Sequence, residues 1–503
     1  MGYSMRILAA ALSGVVFVVA AGAMAAPVDL TPLILPKAAE PGPAVQPFVK
    51  VPAGRVALTH VRLIDGTGGP AQDDRTIVMA DGKIVSIGPA SEPPPKDATV
   101  LDLSGRTVLP GLVGMHDHMY YIGRPNLDAA GHSAPPILAP QMTYTAPRLY
   151  LANGVTTLRT TGSVEPYADL NLKHLIDKGT VPGPHMDVTG PYLEGADSFF
   201  VQMHELRDAK DARETVAFWA GQGVTSFKAY MNITRAELKA AADEAHKRGL
   251  KITGHLCAVS YPEAAALGID NLEHGFFVNT QLDPGKKPDV CPDTDGLPTL
   301  VAMTPDSPAA TALIKDLVAR HVAVTSTLPV FEDTGRGLAL LRPAAMAVLT
   351  PEAREAYLFE RGVIAKMPPA KAKDRTTAYQ NDIGLERRFV AAGGLLLAGP
   401  DPTGDGGVIP GFADLREVEL LVDAGFTPEE AVKIATWNGA VYLGLQKRIG
   451  SVAAGKDADL LVVKGDPSHA IADIENVEIV FKDGVGYDSA ALLDSVRGRY
   501  GEY

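Results

Sequence analysis

His116 and His118 stand one residue apart, directly after the apolar run Leu109-Pro-Gly-Leu-Val. On a strand, side chains two apart share a face, so both imidazoles converge on one point while Asp117 points away. Four more residues that can hold or bridge a cation also end β-like segments. They are Lys228 in Val-Thr-Ser-Phe-Lys, His255 in Lys-Ile-Thr-Gly-His, His274 in Asn-Leu-Glu-His and Asp401 in Leu-Leu-Leu-Ala-Gly-Pro-Asp. Neutral imidazole and carboxylate suit Zn2+ and its neighbours. Any one of these histidines is equally at home as a hydrogen-bonded core residue. Six such residues in order, each at a strand end, predict a metal site at one end of a parallel barrel.

Lys228 is the unusual member, because an ammonium cannot ligate a metal and is costly to bury beside cations. It fits if it is deprotonated and carboxylated by CO2, since the carbamate is an anionic, two-oxygen bridging ligand. It fits equally as a lysine reaching to solvent from a strand end. Asp401 has two roles open. It can coordinate an ion, and it can take a proton from an attacking water and return it to a leaving group. Water held between two Lewis acids is the attacking group that a stable amide or ester requires. No serine-triad alternative competes, since Gly-x-Ser-x-Gly is absent, and no P-loop or Rossmann glycine pattern occurs in a strand–helix context.

The elements that must position these residues alternate in type. Candidate strands are 108–114, 155–160, 185–190, 224–230, 251–255, 269–273, 322–327 and 395–399, separated by amphipathic stretches such as 235–248, 309–320 and 378–392. Gly249 and Gly393 are placed to end two of those helices. Eight strand–helix repeats predict an α/β fold, a closed (β/α)8 TIM barrel with its chemistry at the C-terminal strand ends. Residues 55–108 instead carry short alternating segments with turn signals such as Asp81-Gly82, and 447–503 carry matching ones. A small β-sandwich domain built from both chain termini, with the barrel at 109–446 inserted, is the economical reading. Two long connections, 275–304 and 331–376, are expected to shape a substrate pocket.

The formal charge of −13 and the absence of Lys/Arg-rich runs argue against a nucleic-acid partner and an anionic membrane surface. At the N-terminus, Arg6 precedes the apolar stretch 7–21, and Ala23-Met24-Ala25 offers small-x-small cleavage chemistry. Residues 1–25 are therefore expected to be a cleaved signal peptide rather than a membrane anchor, with secretion to a periplasm or beyond. Residues 26–54, rich in Pro and Ala, are expected to form a linker. Cys257 and Cys291 are the only cysteines. One bridge is open to them, but two cysteines at unrelated positions are expected as free or buried thiols.

These residues resemble the metal-dependent amidohydrolase superfamily, in its imidazolonepropionase-like and prolidase-like branch. Leu109-Pro-Gly-Leu-Val-Gly-Met-His-Asp-His resembles the opening motif, Gly154-Val-Thr-Thr-Leu-Arg the second strand, Phe227-Lys-Ala-Tyr the carboxylated-lysine strand and Asn271-Leu-Glu-His-Gly the sixth-strand motif. Gly450-Ser-Val-Ala-Ala-Gly-Lys-Asp-Ala-Asp-Leu-Leu-Val resembles the return into the β domain. The resemblance implies His116, His118 and Asp401 on one divalent ion, His255 and His274 on a second, and carboxylated Lys228 between them. Departures are Gly114 where Asp is common, Thr160-Thr161 after Arg159, Gly399-Pro400 before Asp401, and Thr189-Gly-Pro-Tyr192 where dipeptidase relatives carry Gly-Gly-His.

Tyr230 shares the face of Lys228 and is either a donor to the scissile carbonyl or an aromatic packed at the rim. Tyr192 and His132 are further pocket candidates. The expectation is a binuclear, zinc-type hydrolase cleaving an amide of dipeptides or N-acyl amino acids, with Asp401 as base and acid and a homodimer as the default assembly. Two alternatives stay open: a mononuclear cyclic-amide hydrolase or deaminase in which Lys228 is dispensable, and a non-catalytic binding protein.

Overall fold

The computed structural model describes residues 33–36, 39–122, 138–198, 200–403 and 408–501. The segment expected to be a signal peptide and the candidate pocket residue His132 lie outside the described residues.

A mixed sheet of nine strands leads the chain: β1 (Val49–Val51), β2 (Val56–Leu63), β3 (Gln72–Ala80), β4 (Lys83–Pro89), β5 (Thr99–Asp102) and β6 (Arg106–Pro110). The barrel strands follow: β7 (Leu112–Asp117), β8 (Val155–Thr160), β9 (His185–Leu193), β10 (Ser226–Ala229), β11 (Lys251–Gly254), β12 (Asn271–Leu272), β13 (Ala323–Ser326) and β14 (Leu396–Ala398). The chain then returns to the first sheet as β15 (Leu460–Lys464), β16 (Val477–Lys482) and β17 (Val485–Asp488).

All eight barrel strands are parallel neighbours in chain order, β7 through β14. The circle closes where the Asp401 amide donates to the His116 carbonyl at 3.0 Å. The closure needs a glycine, because a Cβ on Gly399 would meet the His116 backbone nitrogen at 2.1 Å. This is the (β/α)8 architecture, and every expected strand is present, most of them shortened by a residue or more at one or both ends. The expected strand 108–114 is broken at Gly111 into β6 and β7, which belong to different sheets; a Cβ there would meet Thr156 Oγ1 at 2.2 Å.

The terminal β domain is one continuous sheet, ordered β1-β17-β16-β15-β6-β2-β3-β4, rather than two separate ones. Its inner face buries Val56, Leu58, Ile77, Leu460, Val462 and Phe481 in a core of its own. The antiparallel register of β6 on β15, from Arg106 opposite Lys464 to Pro110 opposite Leu460, joins the two halves of the chain. Part of the expected linker is structured: Val49 and Val51 pair with β17, and Leu33 and Leu35 are buried beside Leu443 and Leu445.

The connection 331–376 is also largely helical. Leu328–Gly335, Pro343–Val348, Pro351–Ile364 and Pro369–Ala391 form helices. Three of them begin with proline, whose fixed φ and missing N–H suit the first helical turn. Thr350 caps one by accepting from the Ala353 amide at 3.1 Å.

Candidate metal centre

The barrel mouth gathers all six strand-end residues. His116 and His118 leave β7 on one face, their ring centroids 5.3 Å apart, while Asp117 turns the other way toward Asp414. Lys228 Nζ lies 3.1 Å from His116 Nε2. Asp401 Oδ1 is 2.9 Å from His118 Nε2 and 3.5 Å from His116 Nε2. His274 Nε2 is 2.9 Å from His255 Nδ1 and 4.0 Å from Asp401 Oδ2. Donor atoms of His116, His274 and Asp401 lie within 4.8 Å of one another.

Two of these side chains reach the centre through unusual backbone. His274 has φ 66° and Asp401 φ 58°, the left-handed region that His and Asp tolerate better than most residues. Each bend turns the chain at its strand end so that the side chain faces inward, at a cost of about 1 kcal/mol or more. Gly114 has no room for a side chain. A Cβ there would meet Asp117 Oδ2 at 1.8 Å, so the Asp117 carboxyl occupies that space.

Buried groups around the six hold the histidines in place. Glu273 is fully buried, with Oε2 2.8 Å from His116 Nδ1, and its other oxygen accepts from Arg159 at 2.8 Å and from Asn271 at 2.6 Å. Arg159 Nε also donates to the Met115 carbonyl at 3.0 Å. Tyr150 Oη donates to the His118 carbonyl and accepts from its amide, at 2.9 and 3.0 Å. Thr327 Oγ1 lies 2.9 Å from His274 Nδ1. The signal for Glu273 was present, since it directly precedes His274. Arg159 carried one too, as the last residue of the second-strand motif, whereas Tyr150 and Thr327 carry none, because each looks like an ordinary core or strand residue.

The electrostatics favour ligation. Burial is the main cause that lowers the His116 pKa, to about 4, and it also lowers His118, His255 and His274. Neutral imidazoles result, the form that binds cations. Burial pushes the Asp401 carboxyl up, but His116, His118 and His274 around it outweigh that and hold it well below the usual range. Burial lowers Lys228 to about 8. His118 Nδ1 and His255 Nε2 are buried without a hydrogen-bond partner.

Aromatic side chains wall the centre. Tyr230 packs edge-on against His255 at 5.0 Å, with Lys228 Nζ 5.9 Å from its ring. Tyr192 contacts Tyr230 at 4.8 Å and shares a 2.7 Å hydrogen bond with Tyr120. On the other side Phe331 lies edge-on to His274 at 5.8 Å and stacks on Phe277 at 3.8 Å. Phe277 and Phe331 come from the two long connections, which therefore do reach the site. His246 pairs with Asp270 at 2.9 Å, while His60, His174 and His469 are exposed, so these four stay apart from it.

One expectation is corrected. Cys257 and Cys291 are bridged, not free, with Cα atoms 4.8 Å apart. The bridge ties the turn two residues beyond His255 to the connection 275–304. Pairing across 34 residues depends on how that connection folds back, which residue spacing does not encode.

The amidohydrolase family profile matches residues 107–281 and 403–485, about half of the chain. Among curated relatives, an imidazolonepropionase of Stenotrophomonas maltophilia is 38% identical over 65 residues, covering 13% of this chain and 16% of the relative. A 5'-deoxyadenosine deaminase of Methanobrevibacter smithii is 37% identical over 59 residues, 12% of this chain and 14% of the relative. The matches thus span about a sixth of the curated relatives or less. Among solved structures, a Xaa-Pro dipeptidase with bound methionine in the active site superposes with a TM-score of 0.62 at 20% identity, over 86% of this chain and all of that one. Bottromycin amidohydrolase gives 0.64 at 21%, over 90% and 94%. These likenesses establish the fold.

Proposed function

This chain belongs to the amidohydrolase family, and from that premise we propose that it is a secreted two-ion hydrolase cleaving the amide of dipeptides or N-acyl amino acids. Family membership implies a divalent ion, and the donor set fits one: four neutral imidazoles, an ionised carboxylate, and two buried ring nitrogens without partners. His116, His118 and Asp401 would hold one ion and His255 and His274 the other, with Lys228 between them. When bound, such ions polarise a carbonyl and lower the pKa of a water, with Zn2+ suited to this ligand set.

The chain's own residues do the rest. Asp401, ionised across the neutral range, accepts the proton of the attacking water at a carboxylate oxygen and returns it to the departing amine nitrogen. Burial keeps the Tyr230 hydroxyl protonated, so it donates to the carbonyl oxygen as negative charge grows there. Lys228, with its pKa near 8, is partly neutral at pH 7. Its lone pair attacks CO2, forming an N–C bond and releasing one proton, and the carbamate supplies the negative charge that two cations need. Glu273 and Arg159 fix the His116 ring. Tyr192 shapes the wall beside His118, their rings 6.5 Å apart and Tyr120 nearer at 4.6 Å.

The observation that carries this reading is the convergence of six strand-end residues, with the right charge states, at one barrel mouth. Amides of amino acids are favoured by the fold shared with a Xaa-Pro dipeptidase. Secretion is supported by the Cys257–Cys291 bridge, since disulfides persist in oxidising compartments, and by the apolar stretch after Arg6. Among the described residues no helix is long and apolar enough to cross a membrane. The single-ion alternative is favoured by the short match to a deaminase. It predicts that Lys228→Ala keeps its activity.

The test is a mass-spectrometric screen of dipeptides, N-acyl amino acids and cyclic amides, run metal-loaded with bicarbonate and again after chelation. Chelator-sensitive cleavage of a linear class is the expected result. Turnover confined to cyclic amides or amino-substituted rings would replace it with the single-ion reading.

A further inference from the structure

At the opposite, N-terminal face of the barrel, three polar side chains from three elements meet where the barrel rests on the β domain. His185 opens β9, Asp459 directly precedes β15, and Asp483 sits at the tip of the β16–β17 hairpin with φ 53°. One donor atom from each lies within 4.8 Å of the other two. His185 is 1% and Asp459 5% exposed.

Their bonding is incomplete. The Asp483 amide donates to Asp459 Oδ1 at 2.7 Å, which leaves Asp459 Oδ2 buried without a partner. His185 Nε2 is 3.2 Å from Asp483 Oδ2, yet neither ring nitrogen of His185 makes a hydrogen bond. Orphaned buried polar atoms are uncommon and costly, and here two residues of one cluster carry them. The neighbouring cations do not fill the gap. Lys482 Nζ comes only within 3.8 Å of Asp483, while Lys83 and Arg448 are engaged by Asp457. With two carboxylates against one lysine, burial and the neighbouring Asp483 push the Asp459 carboxyl well above the usual range, as at a site short of positive charge.

We propose that His185, Asp459 and Asp483 bind a divalent first-row cation, of which Zn2+ is the natural probe, fastening the barrel floor to the β domain. One imidazole and two carboxylates are a ligand set for such ions. An ion about 2.1 Å from each ligand in tetrahedral geometry sets the donor atoms about 3.4 Å apart, so inward shifts of less than about 1 Å by each side chain close the site. The Asp483 side chain, 15% exposed, leaves an entry path. The floor of such a barrel serves stability rather than turnover, so this ion is structural and independent of the centre at the mouth.

The test loads the full chain with Zn2+, dialyses it, and counts zinc per chain by elemental analysis in the parent and in His185→Gln. The variant is expected to hold one equivalent less, with amide hydrolysis within about threefold of the parent. Asp483→Asn, at the hairpin tip where Asn tolerates the positive φ, gives the same comparison if His185→Gln does not fold. Equal zinc in parent and folded variant overturns the proposal, leaving the cluster balanced by a proton. Loss of hydrolysis together with the zinc overturns it as well, because the ion removed would then be one from the barrel mouth.

Discussion

Asp401 is, among the described residues, the carboxylate that lies 2.9 Å from His118 Nε2, so it is both a candidate ligand and a candidate proton shuttle. Asp401→Asn is expected to lower kcat by at least about 100-fold in folded protein, the scale on which general acid–base groups act. Steady-state kinetics and circular dichroism on the same sample check it. Glu273 works at one remove. Its carboxylate neutralises Arg159 and orients His116, so Glu273→Gln leaves a buried guanidinium uncompensated and frees the ring. Metal affinity, read by competition with a chromophoric chelator, should fall by about 10–100-fold. At this scale the candidate ligands were legible because six residues able to hold or bridge a cation follow apolar strand segments in order along the chain. The orienting groups were not, since Tyr150 and Thr327 acquire their roles only through contacts made across the barrel.

Single elements show where sequence patterns reach and where they stop. The helix Arg235–Lys247 was legible because Thr234 and Glu237 cap its first turn reciprocally and its apolar stripe follows helical spacing. The helices within the connections 275–304 and 331–376 were not, since their anchors are tertiary. The Cys257–Cys291 bridge is the clearest case. By closing a loop of 34 residues it restricts the unfolded chain, and Cys291→Ser should cost about 3 kcal/mol of stability. It should also loosen the turn that carries His255. Thermal unfolding with and without reductant checks this: the parent should lose stability on reduction and the variant should not change.

Across the whole molecule, the two chain ends build the platform and the inserted barrel presents the site. That arrangement was readable because short β segments with Asp-Gly turns, Asp81-Gly82 and Asp483-Gly484, lie at both ends, whereas the strands between them alternate with helical stretches. Behind the barrel mouth, Asp382, Glu386 and Glu417 are buried near one another, which no residue spacing announced. Burial pushes Glu417 up to about 8 and Asp382 likewise to about 8. The sign follows from linkage. A carboxyl whose pKa is higher in the folded chain binds more protons there, so stability is full below about pH 4.5 and is lost as pH rises through about 8. Glu417→Gln keeps an acceptor for the Leu328 amide and cannot ionise. Its Tm should exceed that of the parent by about 2 °C or more above pH 8 and converge with it near pH 5, as scanning calorimetry would show.

Whether the six strand-end residues make one two-ion centre is decided by anomalous diffraction from crystals grown with Zn2+ and bicarbonate. Two zinc peaks about 3.5–4 Å apart are predicted among His116, His118, His255, His274 and Asp401, with Lys228 extended as a carbamate between them. A single peak beside an unmodified Lys228, or no peak at the barrel mouth, would contradict it.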